Sequence, residues 1–96
     1  MRIGWDEKKN RANLKKHGLS FEDADIVLAG PTVTFEDNRA DYGEERLISL
    51  GALAGRVVVV VHTPRGNATR GISMRKANAR ERKIYQERLE ETRRDE

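Results

Sequence analysis

Residues Val57 to Val61 form an unbroken run of five valines, bounded by Gly55 on one side and Pro64 on the other. β-Branched side chains suit an extended backbone, and a run with no polar residue on either alternating face suits a strand covered on both sides. This run is therefore expected to be the centre of a sheet. Pro64, Gly66 and Asn67 then supply turn residues, and Thr69 to Met74, short and partly apolar, is expected to pair back as a hairpin neighbour.

The rest of the chain supplies the neighbours and the cover. Met1 to Trp5 reads as an edge strand with Trp5 turned inward. Asp6 is an N-cap for a helix from Glu7 to about His17 that stops at Gly18, with Ala12 and Leu14 as its interior residues. Ser20, with Asp23 three residues on, caps a second helix whose buried face is Ala24, Ile26, Val27 and Leu28, ended by Gly30 and Pro31. Thr32 to Phe35 and Glu44 to Leu53 read as strands separated by a polar loop, and Gly51 marks a bulge or a close backbone approach. Asn78 and Glu81 form a further capping pair, opening a helix to about Arg93 anchored by Ile84, Tyr85 and Leu89, beyond which Thr92 to Glu96 are expected to fray. The expected fold is α+β: a small antiparallel sheet of three to four main strands, two N-terminal helices and a C-terminal helix.

At 96 residues the chain fits one domain, 1–96, with a modest core that buries only about 60 to 65% of the unfolded surface. It has no cysteine and two histidines, so neither a disulfide framework nor a structural zinc cluster is expected, and a reducing cytoplasm is the simplest home. The five valines fall far short of the roughly 20 apolar residues of a membrane span. No Gly-rich phosphate loop, Ser/His/Asp constellation or His/Asp metal spacing is present, so no cofactor or metal is expected.

Charge is distributed unevenly. From Arg56 to Lys83, eight Lys/Arg at positions 56, 65, 70, 75, 76, 80, 82 and 83 stand against one acid, Glu81, so this stretch carries +7 while the whole chain is only +3. A basic face on a small domain points to a polyanion, and guanidinium groups grip phosphate oxygens in pairs, although a solvated basic surface is the competing explanation. Cleaving RNA without a metal requires a base for the 2′-hydroxyl, an acid for the leaving oxygen and cations for the charge that develops on phosphorus. His17 and His62 are the only side chains whose ordinary pKa lies near neutrality, and Glu44 or Glu45 offers a carboxylate. Alternation places His62 on the face of Val58 and Val60, which favours a structural role; His17 at a helix end can equally serve as a C-terminal cap. Tyr85, beside Ile84 and Leu89, reads as core.

The segments WDEKKNRANLKKHGLSFEDA, EERLISLG, RVVVVVHT and ISMRKANARERKIYQE occur in this order, and two patterns within them are specific in combination: W-D-x-x-K-x-x-x-N-x-x-K-H-G-x-x-F and I-S-x-R-x-A-x-x-x-E-R. Over nearly its whole length the chain resembles the BrnT toxins of bacterial type II toxin–antitoxin operons. The resemblance implies a RelE-like fold, ribonuclease activity that blocks translation, and a BrnA-type antitoxin that neutralises the toxin. It also implies a toxin–antitoxin heterotetramer that represses its own operon, with operator DNA contacted only through the antitoxin. Position by position, it implies Lys16 and His17 from the K-H-G motif, Glu45 and Arg46 from E-E-R, and Ser73, Arg75 and Lys76 from I-S-x-R. The site expected on this basis has Arg65, Arg70 and Arg75 holding phosphate, His17 or Glu45 moving the proton, and Lys16, Arg46, Lys76 and Arg80 as further RNA contacts.

Two other classes fit the same charge pattern. A nucleic-acid-binding module without catalysis would bind with steep salt dependence, yet the basic helix after Arg75 lacks the preceding helix-turn unit of a recognition helix. A protein-interaction module would present the same basic face to an acidic partner.

Overall fold

The computed structural model describes residues 3–94. The valine run lies in the middle strand of five. In chain order the elements are β1 (Ile3–Gly4), α1 (Glu7–His17), a 3-10 turn (Phe21–Asp23), α2 (Ala24–Ala29), β2 (Thr32–Glu36), β3 (Leu47–Leu53), β4 (Arg56–Arg65), β5 (Ala68–Lys76) and α3 (Ala79–Arg94). The sheet order is β1-β5-β4-β3-β2. Strands β2 to β5 form an antiparallel meander, and β1 joins β5 in parallel.

Alternation along β4 builds the two cores. Val58 and Val60 pack with Ile3, Phe21, Ala24, Val27 and Met74 on one side. Val59 and Val61 pack with Leu50, Ala77 and Tyr85 on the other. Val58, Val59 and Val60 are at most 1% exposed, and each such valine contributes about 1.5–3 kcal/mol relative to an exposed one. The 3-10 turn and α2 cover the first face, and α3 covers part of the second, with the Tyr85 hydroxyl donating to the Pro31 carbonyl at 2.9 Å.

Several expectations are corrected. The sheet has five strands and is mixed, because the two residues of β1 find a parallel partner in Thr69 and Arg70. The second N-terminal helix is a 3-10 turn followed by only six α-helical residues, and Ile26 on it is 60% exposed. Strand β3 begins at Leu47, leaving Glu44 to Arg46 in the loop. In α1 the interior residues are Asn10 and Asn13, while Ala12 is exposed and Leu14 is 50% exposed. These two asparagines bond main chain that has no strand or helix partner. The Phe21 amide donates to Asn10 at 2.8 Å, and the Met74 amide donates to Asn13, whose own amide group donates to the Leu19 carbonyl. The helix is thereby fixed along the open edge of β5 by hydrogen bonds in place of apolar packing. Thr92 to Glu96 are expected to fray, but α3 continues through Arg94. Residues 95 and 96, and residues 1 and 2 of the expected first strand, lie outside the described residues.

Most local signals hold, but Ser20 caps the 3-10 turn by accepting from the Glu22 amide, and Asp23 makes no capping hydrogen bond to α2. Asp6 accepts from the amides of Lys8 and Lys9, and Gly18 ends α1 in the left-handed region at φ 71°. Gly51 is a close approach: a Cβ there would lie 2.6 Å from Val27 Cγ1. Asn78 and Glu81 cap α3 reciprocally, each side chain accepting the other's amide at 2.8–3.0 Å.

Pairing between β4 and β5 shifts register once. Val61 faces Ser73 but His62 faces Gly71, so Ile72 is an extra residue. Such a bulge reverses the alternation beyond it.

Candidate functional site

The bulge decides which side chains share a face. Directly opposed residues of an antiparallel pair point to the same side. Arg75 is opposite Val59, Ser73 opposite Val61 and Arg70 opposite Thr63, while Arg65 follows Thr63 by two along β4. Arg65, Arg70, Ser73 and Arg75 therefore lie on one face, the face of Val59 and Val61. Without the extra residue, Arg70 and Arg75, five apart in sequence, would point to opposite sides. At about 3.3 Å per residue they span roughly 15 Å of strand.

Beside this strand runs α1. Lys9, Asn13, Lys16 and His17 recur at helical spacing and form one wall of an open groove of about 300 Å³, whose other wall is Ile72 and Ser73 of β5. Residues of the first sequence pattern thus meet the serine of the second. The Asn13–Met74 hydrogen bond described above sets the distance between the two walls.

At the α3 end of β5, Arg75 is held in a fork by Glu81. Nη1 donates to Oε1 at 2.7 Å and Nη2 to Oε2 at 2.8 Å. The pair raises the Arg75 pKa, and the same hydrogen bond holds Glu81 below its ordinary value against the opposing effect of burial. Arg39, from the β2–β3 loop, is near enough to act on both members. Arg39 is itself forked onto Asp37, whose carboxylate is fully buried and held at a pKa of about 2, chiefly by that hydrogen bond.

At the hairpin end, Arg65 lies 3.7 Å from Glu44, and the Arg46 Nε is 4.0 Å from the same carboxylate. The Arg46 guanidinium also stacks on Tyr42, 3.9 Å from the ring centroid. Glu45 contributes its main-chain carbonyl to the Thr63 hydroxyl at 2.6 Å, which ties this loop to the arginine face, while its side chain is exposed. Arg70 lies close enough to the α1 cap to help lower the Asp6 pKa, after the larger effect of the Lys8 and Lys9 amides. Lys76 and Arg80 are exposed at the end of β5 and the start of α3. Lys76, opposite Val58, points to the other face.

His62 is buried on the opposite face, opposite Gly71 and Leu47. Its Nε2 is 2.8 Å from the Ser49 hydroxyl, which in turn is 2.7 Å from that of Thr34. Burial lowers its pKa, and its Nδ1 has no hydrogen-bond partner among the described residues. The structural reading of this histidine fits its position, as does the core reading of Tyr85.

Beyond the residues expected from the sequence, the structure brings Lys9 and Asn13 to the groove and Glu81 and Arg39 to Arg75. Lys9 and Asn13 were signalled by their spacing with Lys16 and His17; Glu81 by its place six residues after Arg75, masked by its capping role. Arg39 had no local signal, because a loop residue meets β5 only through tertiary structure.

A search of curated proteins found no match. The family model described as "Ribonuclease toxin, BrnT, of type II toxin-antitoxin system" matches residues 5–81. That span contains both walls of the groove, the arginine face and Glu81. The chain belongs to the BrnT family of ribonuclease toxins of type II toxin–antitoxin systems.

Proposed function

We propose that this toxin cleaves single-stranded RNA on the face of β4 and β5 without a metal ion. The observation that carries this reading is the shared face of Arg65, Arg70, Ser73 and Arg75, flanked across a groove by Lys9, Lys16 and His17. The RNA backbone follows β5, with its phosphates on Arg65, Arg70 and Arg75. The His17 imidazole accepts the 2′-hydroxyl proton, the 2′ oxygen attacks phosphorus, and the 5′ oxygen leaves with a proton from solvent. Arg75, aimed by Glu81, and the Lys16 ammonium offset the charge that develops on the phosphate. Glu45, with Glu44 beside it, stands at the hairpin end of the same face as the alternative proton acceptor, and Arg46, Lys76 and Arg80 add contacts outside the groove.

The remaining proposals follow from family membership. One RelE-like toxin domain over 1–96 acts in the cytoplasm and is neutralised by a BrnA-type antitoxin. The pair assembles as a heterotetramer that represses its own operon, touching operator DNA only through the antitoxin. No helix among the described residues is long and apolar enough to cross a membrane.

The test is incubation of the purified chain with RNA in EDTA. Cleavage leaving 2′,3′-cyclic phosphate ends, lost in Arg75→Ala and slowed in His17→Gln, supports the reading. Intact RNA with salt-sensitive binding would make the chain a non-catalytic nucleic-acid-binding module, and cleavage that EDTA abolishes would remove the metal-independent mechanism.

A further inference from the structure

A second hollow lies where the β3–β4 turn meets the start of α3. It measures about 410 Å³, and its walls carry Arg56, Lys76, Arg82 and Gln86, together with Gly55 and Ala77. The three cations come from three elements: Arg56 opens β4, Lys76 ends β5 and Arg82 lies early in α3. Arg82 is oriented by its own hydrogen bond, Nη1 donating to the Ala77 carbonyl at 3.0 Å.

The contrast with the other arginines near the site is the informative point. Arg39 is paired with Asp37, Arg75 with Glu81, and Arg46 and Arg65 share Glu44, while Arg70 lies within electrostatic reach of Asp6. Among the described residues, no acid lines the second hollow, and Arg56, Lys76 and Arg82 make no ion pair. Like charges gathered around one concavity repel, and an anion bound among them relieves that repulsion. Guanidinium groups suit phosphate in particular, because their planar forks match two of its oxygens at once.

We propose that this hollow is a second phosphate subsite, which takes a backbone phosphate of single-stranded RNA beyond the groove. The proposal rests on the RNA reading given above. Continuity along β5 favours RNA over an acidic peptide. From Ser73 to Lys76 is three residues, about 10 Å of strand. Val57 and Ala77, which also line the hollow, belong to the core on the Arg75 face, while Lys76 reaches it from the other side of the sheet. A strand held on Arg70 and Arg75 therefore meets the hollow as it passes the end of β5.

The experiment uses the full chain and a 2′-O-methylated RNA of about twelve nucleotides, within the range of known single-strand sites, which cannot be cleaved through its 2′ oxygen. Affinity is measured against salt for the wild type, Arg56→Gln, Arg56→Lys and the double variant Arg56→Gln/Arg82→Gln. The slope of log affinity against log salt is expected to fall by about 0.7 for each neutralised cation, and Arg56→Lys is expected to keep the wild-type slope. Inorganic phosphate is expected to shift the amide resonances of Gly55, Val57 and Ala77 in the wild type and not in the double variant. An unchanged slope in a folded double variant that still cleaves RNA overturns this proposal alone. Failure of the wild type to bind RNA overturns the cleavage reading with it. Saturable binding of polyglutamate at these amides, with no response to the RNA, overturns RNA as the occupant.

Discussion

Glu81 holds both terminal nitrogens of Arg75, at 2.7 and 2.8 Å, and accepts the Asn78 amide at 3.0 Å with one of the same oxygens. One carboxylate therefore caps α3 and aims the arginine that is assigned to phosphate. Glu81→Gln is expected to break one arm of the fork and to cost about 1 kcal/mol, a value discounted for the partial exposure of Arg75. Cleavage should fall by more than that loss of stability explains, with kcat affected more than KM. Denaturant melts and steady-state kinetics on the same preparation separate the two effects.

Acid should weaken the same pairs. Glu81 has a folded pKa below its ordinary value of 4.5, and Asp37 is held at about 2 against 3.8. Carboxylates of lowered pKa add stability that is full above the unfolded value and lost as pH falls through the folded one. Urea midpoints are expected to fall from about pH 4.5 downward, with the Asp37 contribution vanishing toward pH 2. Asp37→Asn should flatten the lower part of that curve.

His62 gives the neighbouring pH window. Burial lowers its pKa from 6.5, so below that value the unfolded chain binds the extra proton first and stability drops as pH falls. In His62→Gln the stability difference between pH 7.5 and 5.5 should shrink, as read by urea melts at the two values. Because His62 lies on the face away from Arg65, Arg70 and Arg75, the folded variant should retain RNA cleavage at pH 7.5.

His17→Gln should leave the fold intact and slow cleavage on the order of 100-fold or more, the usual contribution of a positioned proton acceptor. Glu45→Gln on the exposed loop is the companion variant. If Glu45→Gln carries the larger loss, the proton is handled at the hairpin end of the face and not in the α1 groove.

Two glycines should resist enlargement. A Cβ at Gly51 would lie 2.6 Å from Val27 Cγ1 and 3.2 Å from its carbonyl, and one at Gly71 would lie 2.8 Å from the Phe21 ring. Phe21 is fully buried and stacked on Trp5 at 6.5 Å between ring centroids, so it has little room to yield. Each Gly→Ala change is expected to cost about 1–3 kcal/mol and to lower the Tm by about 4–8 °C per kcal/mol.

What the sequence made legible was local. The valine run, the Asp6 and Asn78–Glu81 caps and the Gly18 stop each carry their cause within a few residues. The parallel seat of β1 depends on two residues that meet partners more than sixty positions away, and no periodicity marks so short a strand. Asn10 and Asn13 look like solvent-facing residues of a polar helix, because composition cannot reveal that their amides bond main chain deep in the fold. The site arginines were visible as a charge count, but their common face was not, since strand register is set by distant packing. The loop shows the same limit: nothing in the sequence distinguishes Glu44 from Glu45, and tertiary structure alone turns Glu44 toward Arg46 and Arg65.

The surplus residue at Ile72 has a corollary for variation in this hairpin. Removing one amino acid between Arg70 and Ser73, or adding one, would leave every charged and polar group in place yet swing Arg70 to the back of the molecule. Length changes there, even with no loss of a reactive side chain, should therefore produce folded proteins that have lost toxicity. Changes of two residues should be better tolerated than changes of one.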